Sequence, residues 1–365
     1  MTRPSCAIID VAALRHNYLK ARLLHGGLAL AVLKANAYGH GAVLCAKALE
    51  PLADGFAVAF LEEALELRKA GIHAPILVLE GCFSQEELQE AHDNKCWVVV
   101  HHEAQLQALE NAPSRVRGMH AWLKFDSGMR RAGFPLECAN EVYARLRSCA
   151  NVSAITLMSH FARADELHSQ TTALQIEAFD AATAALAGER SLANSAGLIA
   201  WPAARRDWAR PGILLYGADP VLGGNHGLVP VMTLQSEVFA VRDLQAGDAL
   251  GYGGSFVTDK PCRVGLVACG YADGYPRSAP SGTLVMAGDK RTHLLGRVSM
   301  DMLTIDLTDM PSEGIGSKVE LWGKNISVND LALAVGTISY ELLCHVQRVQ
   351  RVEQNANEVS LSLMG

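Results

Sequence analysis

The sequence predicts an α/β protein: an N-terminal (β/α)8 barrel followed by a C-terminal, mostly β domain. Three observations carry this. Short apolar runs alternate with segments of helical periodicity through the first half of the chain and beyond. Near Pro230 the pattern changes to strand-like runs punctuated by Gly, Pro, Asp and Ser. The most reactive side chains fall at the carboxyl ends of the apolar runs expected to form barrel strands, where barrel enzymes keep their chemistry.

Taken in order, residues 6–10 read as a short strand, and the first ten residues are expected to join the second domain. Val11 to Leu23 reads as a helix with Asp10 as N-cap. Leu28–Leu33 is a buried strand, followed by a helix near 42–49. Gly55–Phe60 precedes the helix Leu61–Ala70, whose wet side carries Glu62, Glu63, Glu66, Arg68 and Lys69. Pro75–Leu79 precedes Ser84–Ala91, where Ser84 and Glu87 form a capping box. Cys96–Val100 is followed by a helix at 103–110, Met119–Phe125 by Leu136–Leu146, and Val152–Met158 by a longer helix near 169–187. Ser191–Ala193 and Trp208–Leu215 complete eight strands. Such alternation implies parallel pairing and right-handed crossovers. The rival, an open doubly wound sheet, is weakened because no G-x-G-x-x-G follows an early strand.

Beyond the linker Leu222–Gly227, strands are expected at Val231–Val241, Arg263–Ala268, Thr283–Met286, Thr292–Arg297, Met302–Asp306 and Lys318–Trp322. Helices are expected only at Val328–Val335 and Tyr340–Cys344. The domains are therefore placed at 1–229 and 230–365.

Composition narrows the function. Half of the 365 residues are hydrophobic, enough for a large core. The net charge of -6 is scattered, which argues against nucleic-acid or membrane partners. The thirteen histidines show no zinc spacing, so no metal is expected. Nine cysteines with no C-x-x-C read as free thiols of a reducing compartment. The first residues lack a secretory pattern, and no stretch is long and apolar enough to span a membrane. A cytoplasmic enzyme is expected.

The chain is organised around Ala31-Val32-Leu33-Lys34-Ala35-Asn36-Ala37-Tyr38-Gly39-His40-Gly41. A desolvated lysine on a strand-to-helix loop has a lowered pKa and can form a Schiff base with a carbonyl. Four more strand ends carry polar groups: Lys124, Asp126 and then Arg131; Ser159-His160-Phe161; Asn194-Ser195-Ala196-Gly197; and Arg210-Pro211-Gly212-Ile213. Singly, each has an ordinary explanation as a turn or an ion pair. Together they would face one mouth.

That undecapeptide resembles the pyridoxal-phosphate attachment motif of the alanine racemase family, and the resemblance runs along nearly the whole chain. It implies that Lys34 holds pyridoxal 5'-phosphate covalently. It implies phosphate contacts from Tyr38, Ser195, Gly212, Ile213 and Tyr340. Lys124-Phe125-Asp126-Ser127-Gly128-Met129-Arg130-Arg131 resembles the family's substrate segment, implying that Arg131 binds the substrate carboxylate and that Lys124 carries a carbamate. Arg210 would face the pyridine nitrogen. Arginine cannot accept a hydrogen bond and stays protonated, so that nitrogen would remain unprotonated and side reactions at the cofactor carbon would be suppressed.

Racemisation needs proton exchange on both faces of one carbon, for which two fixed bases suffice. Lys34 is one. Leu250-Gly251-Tyr252-Gly253-Gly254-Ser255-Phe256 resembles the segment carrying the other, Tyr252. A free tyrosine has a pKa of about 10, and the resemblance implies a relay from Tyr252 through His160 to Arg210 that stabilises the phenolate. Gly270-Tyr271-Ala272-Asp273-Gly274-Tyr275-Pro276-Arg277 and Gly296-Arg297-Val298-Ser299-Met300-Asp301 also match. They imply an entrance formed by Tyr271, Arg277, Arg297, Asp165 and Ile338, with Met300 and Asp301 at the substrate. Tyr252, Met300 and Asp301 would reach the other subunit's site, hence a homodimer with shared active sites. Departures are local: Gln350 stands where many relatives have proline, and Ser127 and Ser299 occupy variable positions. Bulky Tyr340 favours a small substrate, alanine before serine. The product would serve peptidoglycan, or the enzyme would catabolise D-alanine. A non-catalytic cofactor-binding barrel is opposed by the second domain. A pyridoxal-phosphate decarboxylase is opposed by Arg210.

Overall fold

The computed structural model describes residues 3–221 and 223–354. The expected linker's first residue, Leu222, residues 1–2 of the first expected domain range and residues 355–365 of the second lie outside the described residues. Eight parallel strands close a barrel: Leu28–Val32, Gly55–Val58, Ile76–Val78, Cys96–Val100, Met119–Asp126, Val152–Met158, Glu189–Ser191 and Trp208–Ala209, with the last pairing back to the first. Their side chains are almost all buried in the early strands, as parallel strands covered by helices require.

Local signals act as their chemistry dictates. The Asp10 carboxylate accepts the Ala13 N–H at 2.9 Å and starts the helix Val11–His25. Ser84 accepts the Glu87 N–H at 3.2 Å, but the Glu87 carboxylate reaches the Phe83 N–H, one residue before the expected partner of the box. Two barrel strands differ from expectation. The seventh is Glu189–Ser191, earlier than Ser191–Ala193. The eighth stops at Ala209 because Pro211 has no N–H to give a ladder and Gly212 turns the chain into the short helix Ile213–Tyr216.

The second domain is a sheet in which Cys6–Ile9 lies between Met232–Leu244, antiparallel, and Gln350–Glu353, parallel. Cys262–Val267, Leu303–Asp306, Lys318–Trp322 and the hairpin Leu284–Ala287/Lys290–His293 extend it. The strand expected at Thr292–Arg297 begins earlier, because Gly288 and Asp289 make a two-residue turn with Gly288 at φ +58°.

Helix Ser339–Cys344 presses this domain onto the barrel mouth. The Tyr38 and Tyr340 rings lie 6.0 Å apart, and the Arg351 guanidinium donates to the Gly39 carbonyl at 2.6 Å. A β-carbon at Gly39 would fall 2.1 Å from the Leu343 carbonyl oxygen. The apolar core is continuous across the two parts. Among the described residues no helix is long and apolar enough to cross a membrane.

Candidate active site

Lys34 follows the first barrel strand by two residues and opens an unusual turn. Ala35, Asn36, Ala37 and Tyr38 all have φ between 51° and 54°, one turn of left-handed helix without a glycine. Each such residue costs ~1–2 kcal/mol. The surroundings force it: Glu63 accepts the Ala35 N–H at 2.6 Å and the Ala59 N–H at 2.6 Å, and Asn36 accepts the Ala42 N–H at 2.7 Å. His40 binds the Ala37 and Tyr38 carbonyls at 3.0 and 2.9 Å, and Tyr216 donates to the Val32 carbonyl at 2.7 Å. The turn aims Tyr38 inward beside Tyr216, with ring centroids 4.8 Å apart.

The Tyr38 hydroxyl lies against Gly212, where any β-carbon would come within 2.4 Å of it. Ser195 closes the same corner by accepting the Gly212 and Leu214 N–H groups at 2.8 and 3.3 Å. Tyr38, Ser195, Gly212 and Ile213 are thus brought together, with Tyr340 beside Tyr38. Burial pushes the Tyr38 phenol far up, so it is a neutral donor suited to an anion.

Arg210 is 5% exposed and has no carboxylate partner among the described residues. It donates to the Ser159 carbonyl at 2.6 Å, to the Leu192 carbonyl at 3.3 Å and to the Ser191 hydroxyl. Burial pulls it down to about 10, and it remains a cation at neutral pH. A buried guanidinium hydrogen-bonded only to neutral oxygens keeps its full charge and fits a site that receives a negatively polarised ligand.

Lys124, 6% exposed, is pulled down to about 8 by burial, opposed by Glu80 and assisted by Arg131, Arg210 and Lys34. Lys34 is lowered by burial and by Arg131, and held up by Glu80 and Glu63. His160 lies well below the usual imidazole value through burial and then the charges of Arg210, Arg131, Lys124 and Lys34. It is neutral, with one donor and one acceptor. No direct bond joins His160 to Arg210; the guanidinium binds the preceding residue's carbonyl instead.

The remaining residues lie elsewhere. Tyr252 is 68% exposed, and within the chain no hydrogen bond joins it to His160. A β-carbon at Gly253 would sit 3.5 Å from the Arg297 guanidinium, and the Tyr271 and Ala272 N–H groups bind the Ser299 and Met300 carbonyls. Tyr252, Arg297, Met300 and Tyr271 therefore share one exposed edge, while Asp301 pairs with Arg348 at 2.9 Å. Arg277, Asp165 and Ile338 are also exposed, and Asp165 helps burial raise Tyr340 to about 12. Among the described residues no cluster of three or more His, Cys, Asp or Glu could hold a metal.

Sequence reasoning overlooked Glu80, Glu63, Tyr216 and Gln175. Glu80 follows the third barrel strand by two residues, as Lys34 follows the first, and is findable by the strand-end rule. Glu63, expected on the wet side of its helix, instead caps nearby N–H groups, a role that its place in the first turn marks.

Comparison with known proteins agrees with this architecture. Residues 9–220 match the family model described as alanine racemase, N-terminal domain, and residues 231–353 that of the C-terminal domain. The chain is 59% identical over 347 residues to the alanine racemase of Azoarcus sp., covering 95% of this chain and 98% of that one. It is 54% identical over 352 residues to a Pseudomonas putida protein named alanine racemase, catabolic, covering 96% and 98%. Its fold superposes on the biosynthetic alanine racemase of Pseudomonas aeruginosa with a TM-score of 0.93 and 45% identity, over 97% of this chain and 100% of that one. It also superposes on alanine racemase from Bartonella henselae with covalently bound pyridoxal phosphate, with a TM-score of 0.86 and 28% identity, over 96% and 99%. The lysine turn, the anion corner and the buried arginine thus sit on a scaffold shared over nearly the whole length, and the chain belongs to the alanine racemase family and is a racemase.

Proposed function

We propose that this racemase interconverts L- and D-alanine with pyridoxal 5'-phosphate in the barrel mouth, using Lys34 and the partner subunit's Tyr252 as opposing bases. The observation that carries the reading is Arg210: a buried cation without a carboxylate, beside an anion corner that only glycine at 212 permits. Tyr38, Ser195, Gly212, Ile213 and Tyr340 would hold the phosphate, and Arg210 would face the ring nitrogen. When bound, the cofactor withdraws electrons and makes the α-hydrogen of the amino acid acidic.

This chain's own groups do the rest. The lowered Lys34 amine accepts a proton at its Nζ on one face and returns it there in the reverse direction. Arg131 holds the substrate carboxylate. Neutral His160 can pass a hydrogen bond between Arg210's neighbourhood and an incoming phenol. The Tyr252 hydroxyl is on an exposed edge, where a second copy can receive it, so two shared sites per homodimer follow. Met300 and Asp301 would enter with it, and Asp165, Tyr271, Arg277, Arg297 and Ile338 would frame the entrance. At pH 7 a group with a pKa of about 8 is roughly one-tenth neutral, so Lys124 has free amine to add carbon dioxide, forming a carbamate and releasing a proton. Free thiols at all nine cysteines support a reducing, cytoplasmic setting.

The test is racemisation of purified L-alanine followed by chiral analysis, with serine as competitor. Lys34→Ala should abolish both the visible absorbance of the lysine-bound cofactor and racemisation. A reducible Schiff base retained in that variant would refute the role of Lys34.

A further inference from the structure

We propose that Gln175 is a positioning residue for racemisation, a buried carboxamide that holds the His160 loop and the Arg131 loop in one register. Gln175 lies in the middle of helix Thr171–Thr183, outside the barrel, and is 2% exposed. Its oxygen accepts the Ala162 N–H at 3.0 Å. Its NH2 group donates to the His160 carbonyl at 3.2 Å and to the Ser127 hydroxyl at 3.4 Å. Ser127 and Ser159 hydroxyls are 2.7 Å apart, and the Ser159 carbonyl accepts Arg210. Gly128, whose φ of +140° favours glycine, lies beside the same side chain: a β-carbon there would meet Gln175 Cγ at 3.4 Å, ordinary contact distance. One side chain thus joins the loop after the fifth barrel strand, which leads to Arg131, to the loop after the sixth, which carries His160.

A packing role does not account for the choice of residue. Ile176 and Phe179 fill the core from this helix, and a methionine would fill the space of Gln175 without burying polar atoms. The carboxamide can donate and accept at once, and the Ala162 N–H and His160 carbonyl require that. The orientation of the amide follows from those two partners.

The inference rests on the proposed reading that His160 and Arg131 face the substrate. Its test uses the holoenzyme variants Gln175→Met, Ser127→Ala and His160→Ala, with kcat and KM measured per bound cofactor. Gln175→Met should keep its cofactor and its Tm within a few degrees, yet lose about ten- to a hundredfold in kcat/KM, the effect of misplacing a catalytic side chain by about an ångström. Ser127→Ala removes the hydroxyl's bonds to Gln175 and to Ser159 and leaves the helix untouched, so it also serves if Gln175→Met does not fold. It should raise KM for alanine about two- to fivefold with a smaller change in kcat, the pattern of a carboxylate-binding loop set loose. Wild-type kinetics in a folded Gln175→Met, or an unmoved KM in Ser127→Ala, would overturn the clamp. Wild-type kinetics in His160→Ala would overturn the reading of the mouth, and the clamp with it.

Discussion

At the scale of single residues, burial is the common cause of the site's chemistry. It lowers Lys34, Lys124, Arg210 and His160 together, and neighbouring cations add to it for Lys34, Lys124 and His160, while Glu80 opposes it at both lysines and Glu63 at Lys34. For Lys124 the effect can be weighed. A fall from 10.5 to about 8 corresponds to about 3 kcal/mol, at about 1.4 kcal/mol per pH unit. The unfolded chain binds that proton more tightly, so the cost is fully present below pH 8 and is relieved as pH rises through 10.5. Lys124→Met should therefore be more stable than wild type by up to ~3 kcal/mol at neutral pH in carbon-dioxide-free buffer, with the gap closing toward pH 10.5. Denaturant titration across that range checks it; a pH-independent gap would contradict it. Labelled bicarbonate and NMR would report the carbamate directly. Most mouth residues were legible, since Lys34, Lys124, His160 and Arg210 all lie at or just beyond apolar strand runs. Glu80 was equally placed but carried no motif, and Gln175 stood within a helix whose inner face cannot be read from a single amide.

At the scale of elements, the left-handed turn after Lys34 is the least legible piece. Of Ala, Asn, Ala and Tyr only the asparagine tolerates that region readily; Glu63, Asn36 and His40 impose it through bonds to the backbone. Ala35 is exposed, so Ala35→Gly relieves strain with little loss of packing. It should raise stability by up to ~1 kcal/mol, where the same change inside an ordinary helix costs about that much. A drop in Tm would show that the turn is not strained as described. Gly39 tests the other side of the element. Gly39→Ala drives a methyl into the Leu343 carbonyl, so it should cost ~2 kcal/mol or more and weaken cofactor retention by shifting Tyr340, measured as released cofactor on dilution. The barrel strands were legible wherever apolar runs ended in turns. The eighth was overextended because Ile213-Leu214-Leu215 is as apolar as a strand, although Pro211 had already ended the ladder.

At the scale of the whole molecule, the chain brings Tyr38, Ser195, Gly212 and Ile213 into the corner proposed to take the cofactor, with only one of its two proposed bases in reach. The alternation of the first part and the strand-rich second part made the architecture legible. The placement of Cys6–Ile9 between two strands of the far sheet has a physical basis in its own alternation of half-buried and buried residues. The proposed shared sites are not legible in spacing, because contacts between subunits leave no periodic mark on one chain. They rest on the exposure of Tyr252, Met300 and Tyr271 along one edge. Tyr252→Phe should impair α-hydrogen exchange from one alanine enantiomer more than from the other, as single-turnover exchange would show; equal losses would count against two bases.

Mixing two inactive variants tests that claim most directly. Lys34→Ala and Tyr252→Phe homodimers are combined, allowed to exchange subunits, and assayed for racemisation. Shared sites place an intact Lys34 opposite an intact tyrosine in one site of each hybrid, so random exchange should restore about a quarter of wild-type activity. Verified hybrids that remain as inactive as their parents would contradict the account.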